Sequence, residues 1–347
     1  MTINGIYTLA NDIVYDQLVA LLNSIEVNAG RSIPICIIPY DQRLDKVKAE
    51  ISQRPNVSLF TDSESLTYWD NFAAQVWKNY PRAQKTWRVW GFPELYRVPM
   101  HRKLCALDGQ FDNFIYFDAD TLLMGEVDYI FEKLNNYDWV TNDFQYKSDI
   151  KYIFDGKTEL LKQTFPQQDI QSQLFCAGWF GTKKQVFSRD WLATILEKLN
   201  AGEADVMALG GPDQSLFNYL VLCSQIKYYN FAYEQPEATP GSHWSSNFEV
   251  IDQILYDQGR RLTYIHYMSV GAYAFTKLSA GEDVDIAYRD VFLHYRFLKS
   301  PELKPQTLTR PTVFDQWQES THRFFRQKVG NLKLNYRNFK DRIAEKK

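Results

Sequence analysis

An α/β fold built on a mixed, mostly parallel central sheet is what this sequence predicts, and two stretches carry the prediction. Ile33-Pro34-Ile35-Cys36-Ile37-Ile38 is an unbroken apolar run, the pattern of a strand covered on both faces, as inside a parallel sheet. Phe114-Ile115-Tyr116-Phe117 is a second such run, and it passes directly into Asp118-Ala119-Asp120. Side chains just beyond the C-terminal ends of the strands occupy the edge at which open α/β sheets bind ligands.

The other elements follow in chain order. Residues 3–9 form a first short strand, and Leu18, Leu21, Leu22 and Ile25 recur at helical spacing within 16–27. The strand at 33–40, a helix over 43–52 and a strand over 57–60 continue the alternation that opens a doubly wound layer. Residues 66–107 are rich in Trp and Tyr and read as helical pieces interrupted at Pro81, Pro93 and Pro99. Strands are expected over 137–142, 175–182 and 261–266, with helices over 188–200 and 214–223. Residues 202–211 and 234–246 are loop-like, the second carrying Ser242-His243-Trp244; long loops in a compact domain commonly bind or cover ligands. Pro301, Pro305 and Pro311 mark a linker, which divides the chain into one large domain, 1–300, and a linker with a basic amphipathic helix, 301–347.

Composition narrows the function. The chain has 347 residues with 39 Lys plus Arg against 42 Asp plus Glu, a net charge of −3, too close to neutral for a surface that grips nucleic acid throughout. That figure is a sum: residues 1–300 carry 28 cations against 37 carboxylates, or −9, and residues 301–347 carry 11 against 5, or +6. In the tail Phe325, Val329, Leu332, Tyr336, Phe339 and Ile343 follow helical spacing with basic residues between them. Such a helix lies on an anionic membrane surface, pairs with a second protomer or packs back on the large domain. No apolar run of about 18 residues and no basic leader is present, so a cytoplasmic protein, peripheral to the inner face of a membrane through its tail, is expected. The four cysteines are far apart and without C-x-x-C spacing, the pattern of buried thiols in a reducing compartment. The 9 Trp, 22 Tyr and 23 Phe are compatible with stacking on sugars, although most aromatics in any chain are core.

The chemistry begins at Asp118 and Asp120. Alternate residues on a strand project to the same side, and two carboxylates so close repel unless a cation lies between them. Hard oxygen ligands favour Mg²⁺ or Mn²⁺. A solvated strand-to-loop turn is the competing reading of any isolated D-x-D. His266 ends the apolar run Leu262-Thr263-Tyr264-Ile265; if that strand end lies beside the aspartates it is a third ligand, and an imidazole tilts the choice toward Mn²⁺.

Together with other ordered segments, these residues resemble the GT-A fold glycosyltransferases of the family 8 and glycogenin-like group across roughly residues 3–277. Thr8-Leu9-Ala10-Asn11-Asp12, with Tyr15 after it, resembles the first-strand segment that holds the uridine of a UDP-sugar. His101-Arg102-Lys103-Leu104 resembles the segment whose lysine lies near the sugar nucleotide. Asp118, Ala119 and Asp120 match the D-x-D that binds metal and diphosphate, and His266-Tyr267 resembles the late metal ligand. Phe175-Cys176-Ala177-Gly178 resembles an F-N-[SA]-G segment at the donor sugar, with Cys176 in the place of the asparagine. Gly211-Pro212-Asp213-Gln214, followed by Asn218, resembles the D-Q-x-x-x-N segment beside the reacting carbon. The family's lysine follows its metal histidine by six residues in a K-P-W sequence, whereas the first lysine here, Lys277, follows by eleven and without Pro-Trp.

The resemblance implies a metal-dependent transferase that moves a glycosyl group from a UDP-sugar to a glycan, glycolipid or protein acceptor with retention of configuration. Expelling a diphosphate requires a metal and cations such as Lys103 or Lys277 to meet the developing charge. The anomeric carbon becomes cationic in the transition state, so an oxygen from Asp213 or Gln214 helps there; Asp213 also reads as a helix N-terminal residue after Gly211-Pro212. Two alternatives stand beside this reading. Phe117-Asp118-Ala119-Asp120-Thr121-Leu122 also fits the nucleophile strand of haloacid-dehalogenase-like phosphatases, and a non-catalytic glycan-binding protein would keep the same fold.

Overall fold

Successive residues of a strand face opposite sides of its sheet, and strand β1 (Asn4–Ala10) is buried at every position after the first, so it must be covered on both faces. The computed structural model describes residues 2–155, 158–166 and 169–310. In chain order the next strands are β2 (Ile35–Pro39), β3 (Val57–Leu59), β4 (Asn113–Asp118), β5 (Thr121–Leu123), β6 (Trp139–Thr141), β7 (Trp179–Lys183) and β8 (Tyr228–Asn230). They are followed by β9 (Glu249–Ile251), β10 (Ile254–Asp257), β11 (Arg260–Arg261) and β12 (Tyr264–His266).

The central sheet has the order β3-β2-β1-β4-β7-β6-β8. Pairs β1–β2, β2–β3, β1–β4 and β6–β8 are parallel, while β7 runs antiparallel to β4 and β6. Tyr7, Leu9, Phe114 and Tyr116 turn to a layer containing Trp69, Trp77, Trp87 and Trp139. Their neighbours Ile6, Ala10, Ile115 and Phe117 turn to the opposite layer, against Leu18, Leu21, Leu22 and Ile25 of the helix Tyr15–Asn28. The aromatic excess is therefore mainly core: Trp69, Trp77, Trp87, Trp139 and Trp179 are all fully buried.

Three differences from the sequence expectation matter for the site. The strand expected over 175–182 begins only at Trp179; Cys176 O meets Trp179 N in a turn, and the residues before it form a loop whose Gly178 carbonyl accepts from Asp118 N at 2.8 Å. The strand expected over 261–266 is divided. Arg260–Arg261 closes a small antiparallel sheet with β9 and β10, and only Tyr264–His266 continues, antiparallel to β5. Pro81 does not interrupt a helix but starts one, Pro81–Val89, because the first turn needs no N–H from it.

Residues 301–310, read as linker, return to the body: Thr309 N donates to Gly281 O and Asp283 N to Thr309 O, both at 2.9 Å. The expected tail helix from residue 312 lies outside the described residues. No helix among the described residues is long and apolar enough to cross a membrane.

Candidate active site

Strand pairing assembles the centre of the site. In the β1–β4 register Leu9 lies opposite Asp118, which sets the first-strand segment beside the D-x-D. The chain turns sharply after β4, with Thr121 Oγ1 donating to Asp118 O at 2.7 Å, and leaves as β5. Because β12 pairs with β5 in the register His266↔Thr121, the histidine arrives from far along the chain beside Asp120. Tyr267 N donates to Asp120 O at 2.9 Å, and His266 Nε2 lies 3.3 Å from Asp120 Oδ1.

Asp118, Asp120 and His266 each present a donor atom, all within 4.8 Å of one another. Two carboxylates and an imidazole suit Mn²⁺ or Mg²⁺. Gly178 leaves the space beside them open: a Cβ there would stand 2.3 Å from His266 Cε1 and 2.9 Å from Asp118 Oδ2. Burial would lower the pKa of His266, but Asp120 holds it well above the usual imidazole range. Burial likewise opposes ionisation of Asp120, and His266 reverses this and draws its pKa down.

Beneath this group lies Lys103, only 1% exposed. Its ammonium reaches Asp118 at 3.1 Å, Asp213 Oδ2 at 3.0 Å and the Ala177 carbonyl at 3.2 Å. Burial alone would deprotonate it, yet the two carboxylates raise its pKa above the ordinary lysine value. Burial would raise Asp213 in turn, but Lys103, Arg97 and His101 hold it far below the usual carboxylate range. Tyr116 Oη donates to Asp118 Oδ1 at 2.8 Å and completes the support. All three ammonium directions thus meet acceptors inside the protein, and Lys103 organises the two carboxylates at the edge of the site.

Asp213 and Gln214 open the helix Pro212–Ser224. One turn on, Asn218 brackets the loop at 175–178: its Nδ2 donates to Phe175 O at 2.8 Å and its Oδ1 accepts from Phe175 N at 3.1 Å. The D-Q-x-x-x-N pattern is thereby split between residues that face the cleft and one that ties the helix to the loop.

A single cleft of about 1270 Å³ contains most of the sequence candidates: Leu9, Asn11, Lys103, Asp118, Ala119, Asp120, Cys176, Ala177, Gly178, Asp213, Gln214 and His266. Asn11 also has a local task, capping the turn Asp12–Val14 through Ile13 N and donating to Asp41. Three candidates are not brought to the cleft. Thr8 is buried within the sheet. Tyr15 points to Glu50, donating at 2.9 Å. Lys277 lies on the helix Ala272–Ser279 with its ammonium 2.9 Å from Glu282.

Among the further residues that line the cleft, Arg97, Asp143 and His243 were not singled out as site residues by sequence reasoning. Arg97 sits at φ 56°, a left-handed conformation uncommon outside glycine. It is half-buried, and although burial works against its charge, Asp213 and Asp118 raise its pKa. No sequence signal marks it. Asp143 follows β6 by two residues, at the same sheet edge as Asp118, and a carboxylate just past a strand end was legible as the same kind of signal. It accepts from Cys176 N and Gln145 N, both at 2.6 Å, and burial pushes its pKa up to about 6. His243 lies in the loop flagged at 234–246 and bridges in parallel to His266.

No protein-family pattern matches the chain, and no curated protein matches it in sequence. Among solved structures it is similar to the WbbM bifunctional glycosyltransferase in its apo form, with TM-score 0.51, 15% identity, and coverage of 88% of this chain and 52% of that one. The chain thus spans about half the length of that protein. It also aligns with the galactosyltransferase LgtC in complex with donor and acceptor sugar analogues, at TM-score 0.48 and 14% identity over 79% of this chain and 94% of that one. GlyE of Streptococcus pneumoniae aligns at TM-score 0.45 and 12% identity, over 88% of this chain and 66% of that one. In strand order, mixed sheet and superposition, this chain has the GT-A fold of glycosyltransferases.

Proposed function

We propose that the protein is a glycosyltransferase that moves a sugar from a UDP-sugar to an acceptor hydroxyl, dependent on Mn²⁺ or Mg²⁺ and with retention of configuration. The observation that carries this reading is the convergence of Asp118, Asp120 and His266 at the C-terminal edge of the sheet, at the floor of the cleft. The phosphatase alternative is disfavoured by the fold: its nucleophile strand opens the domain, whereas β4 follows three other strands of the sheet.

In the reaction the bond from the anomeric carbon to the diphosphate oxygen breaks, the acceptor oxygen bonds to the same face, and its proton passes to the departing diphosphate. A divalent ion held by Asp118, Asp120 and His266 would supply charge neutralisation for that leaving group. Lys103 keeps Asp213 ionised and holds Asp118 and Asp213 in place before substrate arrives, which spares reorganisation during the reaction. Arg97, at the cleft wall, takes the role of the cation facing the diphosphate that the sequence assigned to Lys103 or Lys277. Asp213 and Gln214 face the cleft together, where an oxygen stabilises positive charge at the anomeric carbon. Retention by front-face attack fits a site in which Asp143, the carboxylate beside Cys176 in the cleft wall, already accepts two backbone N–H groups. A cytoplasmic setting, a glycan, glycolipid or protein acceptor, and a tail that meets a membrane or a second protomer complete the proposal; these rest on the sequence.

The test is incubation with a panel of nucleotide sugars and Mn²⁺, following release of UDP. Wild-type protein is expected to turn over one of them and Asp120→Ala to lose metal-dependent turnover. Undiminished activity in Asp120→Ala would remove the metal role; glycan binding without nucleotide binding would favour the non-catalytic alternative.

A further inference from the structure

The residue that departs from the family pattern, Cys176, sits in a cluster of soft donors that the proposed reaction does not use. Its Sγ lies 3.9 Å from Nδ1 of His266, the ring nitrogen turned away from Asp120, and 3.8 Å from Sδ of Met268. All three residues line the cleft. Their backbones are held in place: Cys176 N donates to Asp143 at 2.6 Å, and Trp244 Nε1 donates to Met268 O at 2.9 Å.

Two of its spacings are close to those of a metal site. An ion with sulfur donors at about 2.3 Å and nitrogen at about 2.0 Å in tetrahedral geometry sets two sulfurs roughly 3.8 Å apart and sulfur and nitrogen roughly 3.5 Å apart, so the imidazole moves a few tenths of an ångström to bind. Thiolate and thioether sulfur with imidazole select soft or borderline cations over Mg²⁺ and Mn²⁺. We propose that Cys176, His266 and Met268 form a binding site for a soft, thiophilic cation of the class of Zn²⁺, Cd²⁺ and Cu⁺, and that its occupancy excludes the hard divalent ion from Asp118, Asp120 and His266.

Exclusion follows from the single imidazole. A cation at Nδ1 uses that lone pair and leaves the ring proton on Nε2, which points to Asp120 Oδ1. A cation at Nε2 requires the opposite tautomer. Binding of the soft ion displaces to solvent the thiol proton of Cys176 and the Nδ1 proton of the His266 imidazolium, and the ion's remaining coordination position is filled by water.

The exclusion, though not the soft site itself, rests on the hard-ion reading of the proposed function. The test titrates full-length protein with Cd²⁺ alone, following the thiolate-to-cadmium ultraviolet charge-transfer band, and then measures bound Mn²⁺ by electron paramagnetic resonance with and without Cd²⁺. One equivalent of Cd²⁺ is expected to develop the band and to release Mn²⁺. Cys176→Ser should lose the band while retaining its far-ultraviolet circular dichroism, and Met268→Leu should weaken Cd²⁺ binding on the order of tenfold while leaving Mn²⁺ binding unchanged. A band of full intensity in Cys176→Ser, or Cd²⁺ and Mn²⁺ bound together at the full level of each, would overturn the proposal. A cadmium band that depends on Cys176 in a protein that binds no Mn²⁺ would uphold the soft site and overturn the hard-ion reading.

Discussion

Lys103 and Asp213 form an ion pair at 3.0 Å with side chains only 1% and 7% exposed, and the same ammonium also holds Asp118. One buried cation thereby fixes the D-x-D strand and the start of the helix Pro212–Ser224 relative to each other, across a sequence separation of 110 residues. Removing one partner of a buried pair leaves an unpaired charge and costs about 3–5 kcal/mol. Lys103→Met is therefore expected to lower the urea midpoint strongly and to abolish turnover. Lys103→Arg should fail to restore either fully, since a planar guanidinium does not fit the compact three-way ammonium site.

The same contact sets an acid dependence. The depressed pKa of Asp213 contributes stability that is fully present above the unfolded carboxylate value of about 3.9 and is lost as pH falls toward the lower folded value. Wild-type stability should fall below about pH 4. In Lys103→Met that part of the slope should shrink, because the lysine's contribution to the depression is gone; urea midpoints across this range measure it.

Asp143 has the opposite sign. Its carboxyl, pushed up to about 6 by burial, contributes stability present below the unfolded pKa and lost as pH rises through the folded one. Asp143→Asn should remove this pH-dependent loss; its amide NH₂ meets one of the two backbone N–H groups that the carboxylate accepts, so the variant starts less stable, and its deficit should shrink by up to about 3 kcal/mol across the titration, roughly half of it between pH 5 and pH 8. Denaturation of both proteins at pH 5 and pH 8 checks the difference, and equal pH dependence in the two would count against the assignment.

Gly178→Ala tests the approach of the loop to Asp118 and His266. The added methyl would meet His266 Cε1 at 2.3 Å and Asp118 Oδ2 at 2.9 Å, so both must move. Calorimetric titration with Mn²⁺ should show binding weakened at least about tenfold, with a stability loss of only about 1–3 kcal/mol.

Arg97 joins strain to charge. Its left-handed backbone, at φ 56°, costs roughly 1 kcal/mol in a residue with a Cβ. Arg97→Gly should thus keep or slightly raise the thermal midpoint while kcat/KM for the nucleotide sugar falls about a hundredfold. A fall in stability with unchanged kcat/KM would assign the residue to structure and not to the donor.

The sequence by itself determined the local features of this protein: strands buried on both faces, read from runs such as 114–117; two carboxylates at the end of β4; a carboxylate and an amide opening the helix Pro212–Ser224. These are legible because they depend on neighbours along the chain. Only the tertiary structure decided which of the candidates meet. His266 joins Asp120 because β12 pairs with β5 in one particular register, and a slip of one residue would turn it to the other face. Lys103, read as a cation for the diphosphate, is consumed by two carboxylates, while Lys277 and Tyr15 are drawn to Glu282 and Glu50. Arg97 comes to the cleft through a backbone conformation that no periodicity reports. Motif spacing identifies which residues are able to do the chemistry; burial and long-range pairing, which depend on groups distant in sequence, select those that are placed to do it.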